Sequence, residues 1–86
     1  MALINDDNYY YDIVRINIRK FRKSKKYTQA KLAEEADISL DYLAEIESMK
    51  RKKSFSLAVL GRIADTLNIP IEYFFKIEKQ NIMEKE

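Results

Sequence analysis

The stretch that decides the fold is TQAKLAEEADISLDYLAEIE, residues 28–47. It reads as two short helices around a tight connection. Thr28 is a good N-cap, and Leu32, Ala33 and Ala36 fall on one face of the helix that follows. Asp37-Ile38-Ser39 is too short to be anything but a turn. Ser39 then caps a second short helix to about Ser48, with Leu43, Ile46 and Glu47 on its inner side.

Working outward, Tyr11, Val14, Ile18, Phe21 and Arg22 recur at helical spacing, so a long first helix runs from about Asn8 to Lys25. Asp7 or Asn8 is placed to cap it, and Lys23, Lys25 and Lys26 suit its negative C-terminal end. After residue 48 comes a basic loop, Lys50-Arg51-Lys52-Lys53. Ser56 caps a fourth helix to about Leu67, with Leu57, Leu60, Ala64 and Leu67 as its inner stripe. Pro70 suits the first position of a fifth helix, Ile71 to Phe75, where a missing N–H costs nothing. Residues 76–86 form a charged tail or an extension of that helix.

Composition supports an all-α domain. The chain has 86 residues, a single glycine and a single proline, and 35% of its residues are charged. That length fits one small domain. The absence of cysteine removes disulfides, thiolate nucleophiles and zinc sites built on sulfur. The absence of histidine removes the commonest general base and most transition-metal sites. One glycine cannot build a phosphate-cradling loop. The expectation is therefore a protein that is not an enzyme, without metal or cofactor and without a small-molecule substrate. No run approaches the ~20 apolar residues that span a bilayer, and the start of the chain, with Asp6 and Asp7, does not read as a signal peptide. Both points suggest a cytoplasmic protein with no membrane partner. A basic amphipathic surface helix from Arg15 to Lys26 is the weaker reading, because its apolar stripe is better explained as core.

The ordered set of motifs resembles the phage-repressor-like (Xre-type) helix-turn-helix family. Thr28-Gln29-Ala30-Lys31-Leu32-Ala33 is similar to the start of the family's second helix, and Ile38-Ser39 with Leu43-Ala44-Glu45-Ile46-Glu47 to its turn and recognition helix. Leu57 to Leu67 and Asn68-Ile69-Pro70 up to Phe74 resemble its fourth helix and the lead into its fifth. The likeness covers about Ile18 to Phe75. It implies a five-helix, lambda-repressor-like DNA-binding domain over residues 1–75, with the helix-turn-helix at about 28–48. The partner would be double-stranded DNA, with the third helix in the major groove and the second crossing the backbone.

Site residues follow from the likeness. Gln29 matches a glutamine that contacts a phosphate, where unpaired N–H groups at a helix start also favour an anion. Thr28, Lys26, Lys31 and the loop cations Lys50, Arg51, Lys52 and Lys53 are the other phosphate candidates. Arg22 and Glu47 match a pair that ties the first helix to the end of the third. Outward positions of the third helix are Ser39, Leu40, Asp41, Tyr42, Ala44 and Glu45, the candidates for base reading. That set holds no Arg, Lys, Asn or Gln, the side chains that pair bidentately with guanine or adenine. Ile69, Ile71, Tyr73 and Phe75 exceed what one terminal helix buries beside Phe74 and are candidates for a homodimer interface.

The sequence departs from the family where Asp37 and Met49 replace preferred glycines. Asp tolerates a left-handed backbone and Met does not, so the third helix is expected to end differently. Gly61, inside the fourth helix, costs about 1 kcal/mol against alanine unless a close contact requires it. The functional expectation is a dimeric repressor on a palindromic operator. An antitoxin or protein-interaction module on the same fold is the alternative, favoured by the acidic third helix. The net charge of +2 hides this pattern. Residues 12–31 carry eight cations and one anion, residues 32–47 carry six anions, and residues 48–62 carry five cations.

Overall fold

A computed structural model describes residues 8–77. Four α-helices and a terminal 3-10 helix follow one another, with no strand among the described residues: α1 (Tyr9–Ser24), α2 (Gln29–Glu35), α3 (Leu40–Glu47), α4 (Leu57–Leu67) and the 3-10 helix Ile71–Phe75. Three of the starts are set by hydroxyl caps. Thr28 Oγ1 accepts from the Lys31 amide at 3.0 Å, Ser39 Oγ from Tyr42 at 3.0 Å, and Ser56 Oγ from Val59 at 3.1 Å. Each cap satisfies an amide that the helix itself leaves unpaired.

The start of α1 differs. Asn8 occupies the capping position but makes no side-chain capping bond. Its backbone is already helical (φ −84°, ψ −6°), whereas a capping side chain needs an extended residue to reach the amides ahead. Asp7, the other expected cap, lies outside the described residues, as do residues 78–86 of the tail.

The turn between α2 and α3 is closed by Asp37 at φ 62°, so aspartate does the work of the preferred glycine. The Ile38 amide then donates to Ala33 O at 3.0 Å. Arg62 Nε, from α4, donates to Ala36 O at 3.0 Å and satisfies a further carbonyl at the end of α2. After α3 the left-handed residue is Lys52 (φ 51°), and Met49 is spared. Ser48 makes this possible: its backbone is extended, and its Oγ accepts from the amides of Lys50 and Arg51 at 3.1 and 3.0 Å. The expected fifth α-helix is a 3-10 helix. Pro70 precedes it at the capping position, and the Tyr73 amide donates to Pro70 O at 3.0 Å. Five residues are too few for a stable α-turn array, and the tighter i→i+3 pattern seats Phe74 in the core.

One core joins all five elements. Val14 and Ile18 of α1 meet Leu32, Ala33 and Ala36, then Leu43 and Ile46, then Leu60, Ile63, Ala64 and Leu67, with Phe55 and Phe74 closing it. Leu57 does not belong to this stripe. It is the first residue of α4 and is 70% exposed, while Ile63 is fully buried. Gly61 has no close neighbour: a Cβ built there meets nothing within 4 Å.

Three polar side chains of α1, Arg15, Asn17 and Arg22, are buried with the apolar ones. Asn17 Nδ2 donates to the carbonyls of Phe74 (2.8 Å) and Lys76 (2.9 Å), holding the 3-10 helix against α1. Arg15 is fully buried and fixes the end of α3: its Nη1 donates to Ile46 O at 2.6 Å and to Lys53 O at 3.1 Å.

Candidate nucleic-acid interface

Arg22 and Glu47 meet in a buried fork. Arg22 Nε donates to Glu47 Oε2 at 2.8 Å and Nη2 to Oε1 at 2.9 Å, while Nη1 donates to Tyr27 O at 2.9 Å. Their side chains are 9% and 3% exposed. The fork ties the end of α1 to the end of α3, and the Tyr27 bond adds the segment leading into α2. Parallel N–H···O bonds between ionised groups are among the stronger and more directional contacts a protein makes.

Gln29, at the first turn of α2, joins the same cluster. Its Nε2 donates to Glu47 Oε1 at 3.0 Å. An amide nitrogen carries two donors, so this bond aims the second rather than consuming the group. Arg19, Arg22, Thr28, Gln29, Ala44, Glu47 and Ser48 line an open groove between α1, α2 and α3. Arg19 is the residue the sequence reading missed. It is exposed and lies one helical turn before Arg22, and that i, i+3 spacing was the available signal.

The outward face of α3 divides. Ser39 Oγ is committed to its own cap. Leu40 and Asp41 are exposed, while Tyr42, Ala44 and Glu45 are half-buried and Tyr42 packs against the core. Glu45 is engaged from the loop side: Arg51 Nη2 donates to its Oε2 at 2.6 Å, and Lys53 Nζ stands 3.8 Å from Oε1. Asp41, Ala44, Glu45, Ser48, Lys50 and Arg51 line a second open groove between α3 and the loop.

The basic loop is less available than its sequence suggests. Besides Arg51 and Lys53, Lys52 is drawn away from α3, its Nζ donating to Asp12 Oδ2 at 2.7 Å. Lys50 is exposed, as are Lys26, which has a positive φ of 64°, and Lys31. Lys31 Nζ lies 4.6 Å from the centre of the Tyr27 ring.

Among the described residues, Asp12 and Tyr27 have displaced pKa values. Burial raises the pKa of the Asp12 carboxyl, but hydrogen bonds and charge from Lys52 and Arg15 outweigh it and hold the group below its ordinary value. Arg15 Nε donates to Asp12 Oδ1 at 3.0 Å, and Arg15 Nη2 is buried without a hydrogen-bond partner. The Tyr27 phenol is pushed up by its 3.0 Å bond to Glu35 Oε1, then by burial and the charge of that carboxylate.

The dimer candidates separate into two groups. Ile69 and Ile71 are half-buried against the core. Tyr73 and Phe75 are 46% and 44% exposed. Phe75 shares an apolar groove with Tyr10, Tyr11, Val14, Phe55, Leu57 and Leu60. Among the described residues no cluster of acidic side chains could hold a metal ion, and no helix is long and apolar enough to cross a membrane.

Two short helices locked across a tight turn and braced on a longer one make a helix-turn-helix module. A family model described as "Helix-turn-helix" matches residues 18–74. The chain belongs to this family, the Xre-type group of DNA-binding transcription regulators. Over 54 residues it is 41% identical to the immunity repressor protein of Bacillus phage phi105, an alignment that takes in 63% of this chain. The matched part is 36% of that repressor's length, about a third. Among solved structures it is similar to the clp gene regulator ClgR from C. glutamicum (26% identity, TM-score 0.68, 76% of this chain and 82% of that one). It is also similar to the biofilm master regulator SinR, solved in complex with DNA (25% identity, TM-score 0.66, 73% and 98%).

Proposed function

We propose that the protein is a sequence-specific, dimeric transcriptional repressor acting on a palindromic operator in the cytoplasm. The observation that carries this reading is the Arg22–Glu47–Gln29 cluster. It fixes α3 relative to α2 and turns the first turn of α2 toward a groove edged by Arg19. A phosphate in that groove meets helix-start amides, the second Gln29 donor and a cation. The rigid step from that phosphate to α3 sets the depth at which α3 enters the major groove. Leu40, Asp41, Tyr42, Ala44 and Glu45 then face base edges. Lys26, Lys31 and Lys50 reach flanking phosphates. The assignment as a repressor is supported by the likeness to the phage phi105 protein, whose name says that it represses.

Dimerisation through Tyr73 and Phe75 places two α3 helices on one side of the duplex. Half-sites are then about 34–36 Å apart, one turn of DNA. Selection of bound duplexes from a random library tests this. The reading requires a two-fold consensus; a pool with no enriched sequence overturns it. The engagement of Glu45 by Arg51 and Lys53 favours one other reading, an interaction module on the same fold. That reading requires tight binding of a protein partner with no duplex selected.

A further inference from the structure

Glu45 stands out on the face assigned to base reading. It is a carboxylate where phosphates crowd, and two loop cations already hold it. Arg51 reaches it at 2.6 Å and Lys53 at 3.8 Å. The Glu45 side chain is 27% exposed, against 63% and 52% for the two cations. The carboxylate therefore sits against the helix, and the cations extend over it from solvent. An exposed pair of this kind is weak on its own and is readily exchanged for another partner.

Resting on the reading of the chain as a DNA-binding repressor, we propose that Glu45 is its specificity-determining residue and that it acts by charge exchange. Away from its cognate base, Glu45 keeps Arg51 and Lys53 turned inward, so neither neutralises a phosphate. Against guanine or thymine the carboxylate meets only base acceptors and is repelled. Adenine offers a donor with an acceptor beside it. Cytosine offers its N4 donor alone, the one edge that suits a carboxylate without opposition. When N4–H donates to Glu45, the carboxylate's hold on the cations weakens. Arg51 and Lys53 then turn to the flanking backbone, where each released cation adds a phosphate contact. Base reading and phosphate binding are in this way coupled through one side chain. The loop cations strengthen binding chiefly where the base is right.

The test compares the full chain with Glu45→Gln, Arg51→Ala and the double variant. Each is measured on a random-sequence duplex and on the duplex selected by the wild type, across a salt series. Glutamine keeps the size of the side chain and removes the charge, and equal helicity by circular dichroism establishes equal folding. Glu45→Gln is expected to bind the random duplex more tightly, its log–log salt slope steeper by about 0.9 for each cation released. Its preference for a C·G pair at one position of each half-site is expected to fall about tenfold. Adding Arg51→Ala returns the slope on random duplex toward the wild-type value. A wild type with a sharp consensus and a Glu45→Gln variant with unchanged slope and base preference overturn this inference alone. A wild type that selects no duplex overturns the proposed function, and this inference with it.

Discussion

Replacing Arg22 with alanine should remove a large share of the protein's stability, though Arg22 touches no base in the proposed complex. The substitution removes two bonds to Glu47, at 2.8 and 2.9 Å, and one to Tyr27 O at 2.9 Å. It also leaves the Glu47 carboxylate, 3% exposed, with only the Gln29 amide as a partner. Breaking a buried pair in this way costs about 3–5 kcal/mol, chiefly because one charge is stranded. A domain of this size has a total stability of roughly 4–13 kcal/mol. The loss corresponds to a fall in Tm of at least ~12 °C. Urea unfolding followed by far-UV circular dichroism measures it, with the m-value checking that the denatured state is unchanged. A paired substitution, Arg22→Met with Glu47→Leu, removes both charges and should recover most of the loss, since nothing is stranded. A loss below about 1 kcal/mol for Arg22→Ala would instead mark the two residues as a solvated surface pair.

Three further outcomes are expected. Gly61→Ala should stabilise the chain by about 1 kcal/mol in the same assay, because the added methyl meets nothing within 4 Å and the residue is helical. Asp12 has a depressed folded pKa, so its contribution is complete above its ordinary value of 3.8 and is lost as the pH falls below that through the folded pKa. Asp12→Asn should flatten the acid limb of the stability curve in that window. Tyr73→Glu with Phe75→Glu should give a monomer by analytical ultracentrifugation with unchanged helicity, because both side chains are largely outside the core while Phe74 holds the 3-10 helix in place.

The helix-turn-helix was legible because its signals are local. Thr28, Ser39 and Ser56 each cap the helix that follows them, and a hydroxyl next to an apolar period announces this within four residues. The Arg22–Glu47 pair was legible only through the family likeness, since 25 residues separate the partners. What the sequence concealed was the direction of its charges. Lys50 to Lys53 read as one basic run, yet in space Asp12 and Glu45 draw three of them aside. Asp12 lies 40 residues from Lys52, and no pattern along the chain connects them. Arg15 entered the sequence reading only as the start of a surface helix that was set aside, although its position beside Val14 and one turn before Ile18 aims it inward, where it serves the carbonyls of Ile46 and Lys53. Leu57 was assigned to the core because periodicity gives a face but not where a helix begins to touch its neighbours. It stands on the right side of α4 and one turn too early.

In the proposed complex α2, the end of α1 and Lys50 hold DNA phosphates while α3 faces the bases. The salt dependence of affinity for the selected duplex tests it most directly. Four cations per protomer, Arg19, Lys26, Lys31 and Lys50, are exposed around this surface. With two protomers bound, they predict a slope of log K against log salt of about −7, and the release of Arg51 and Lys53 proposed on the selected duplex steepens it to about −11. A slope near zero, on a duplex that the protein does bind, would rule out phosphate contacts by these cations.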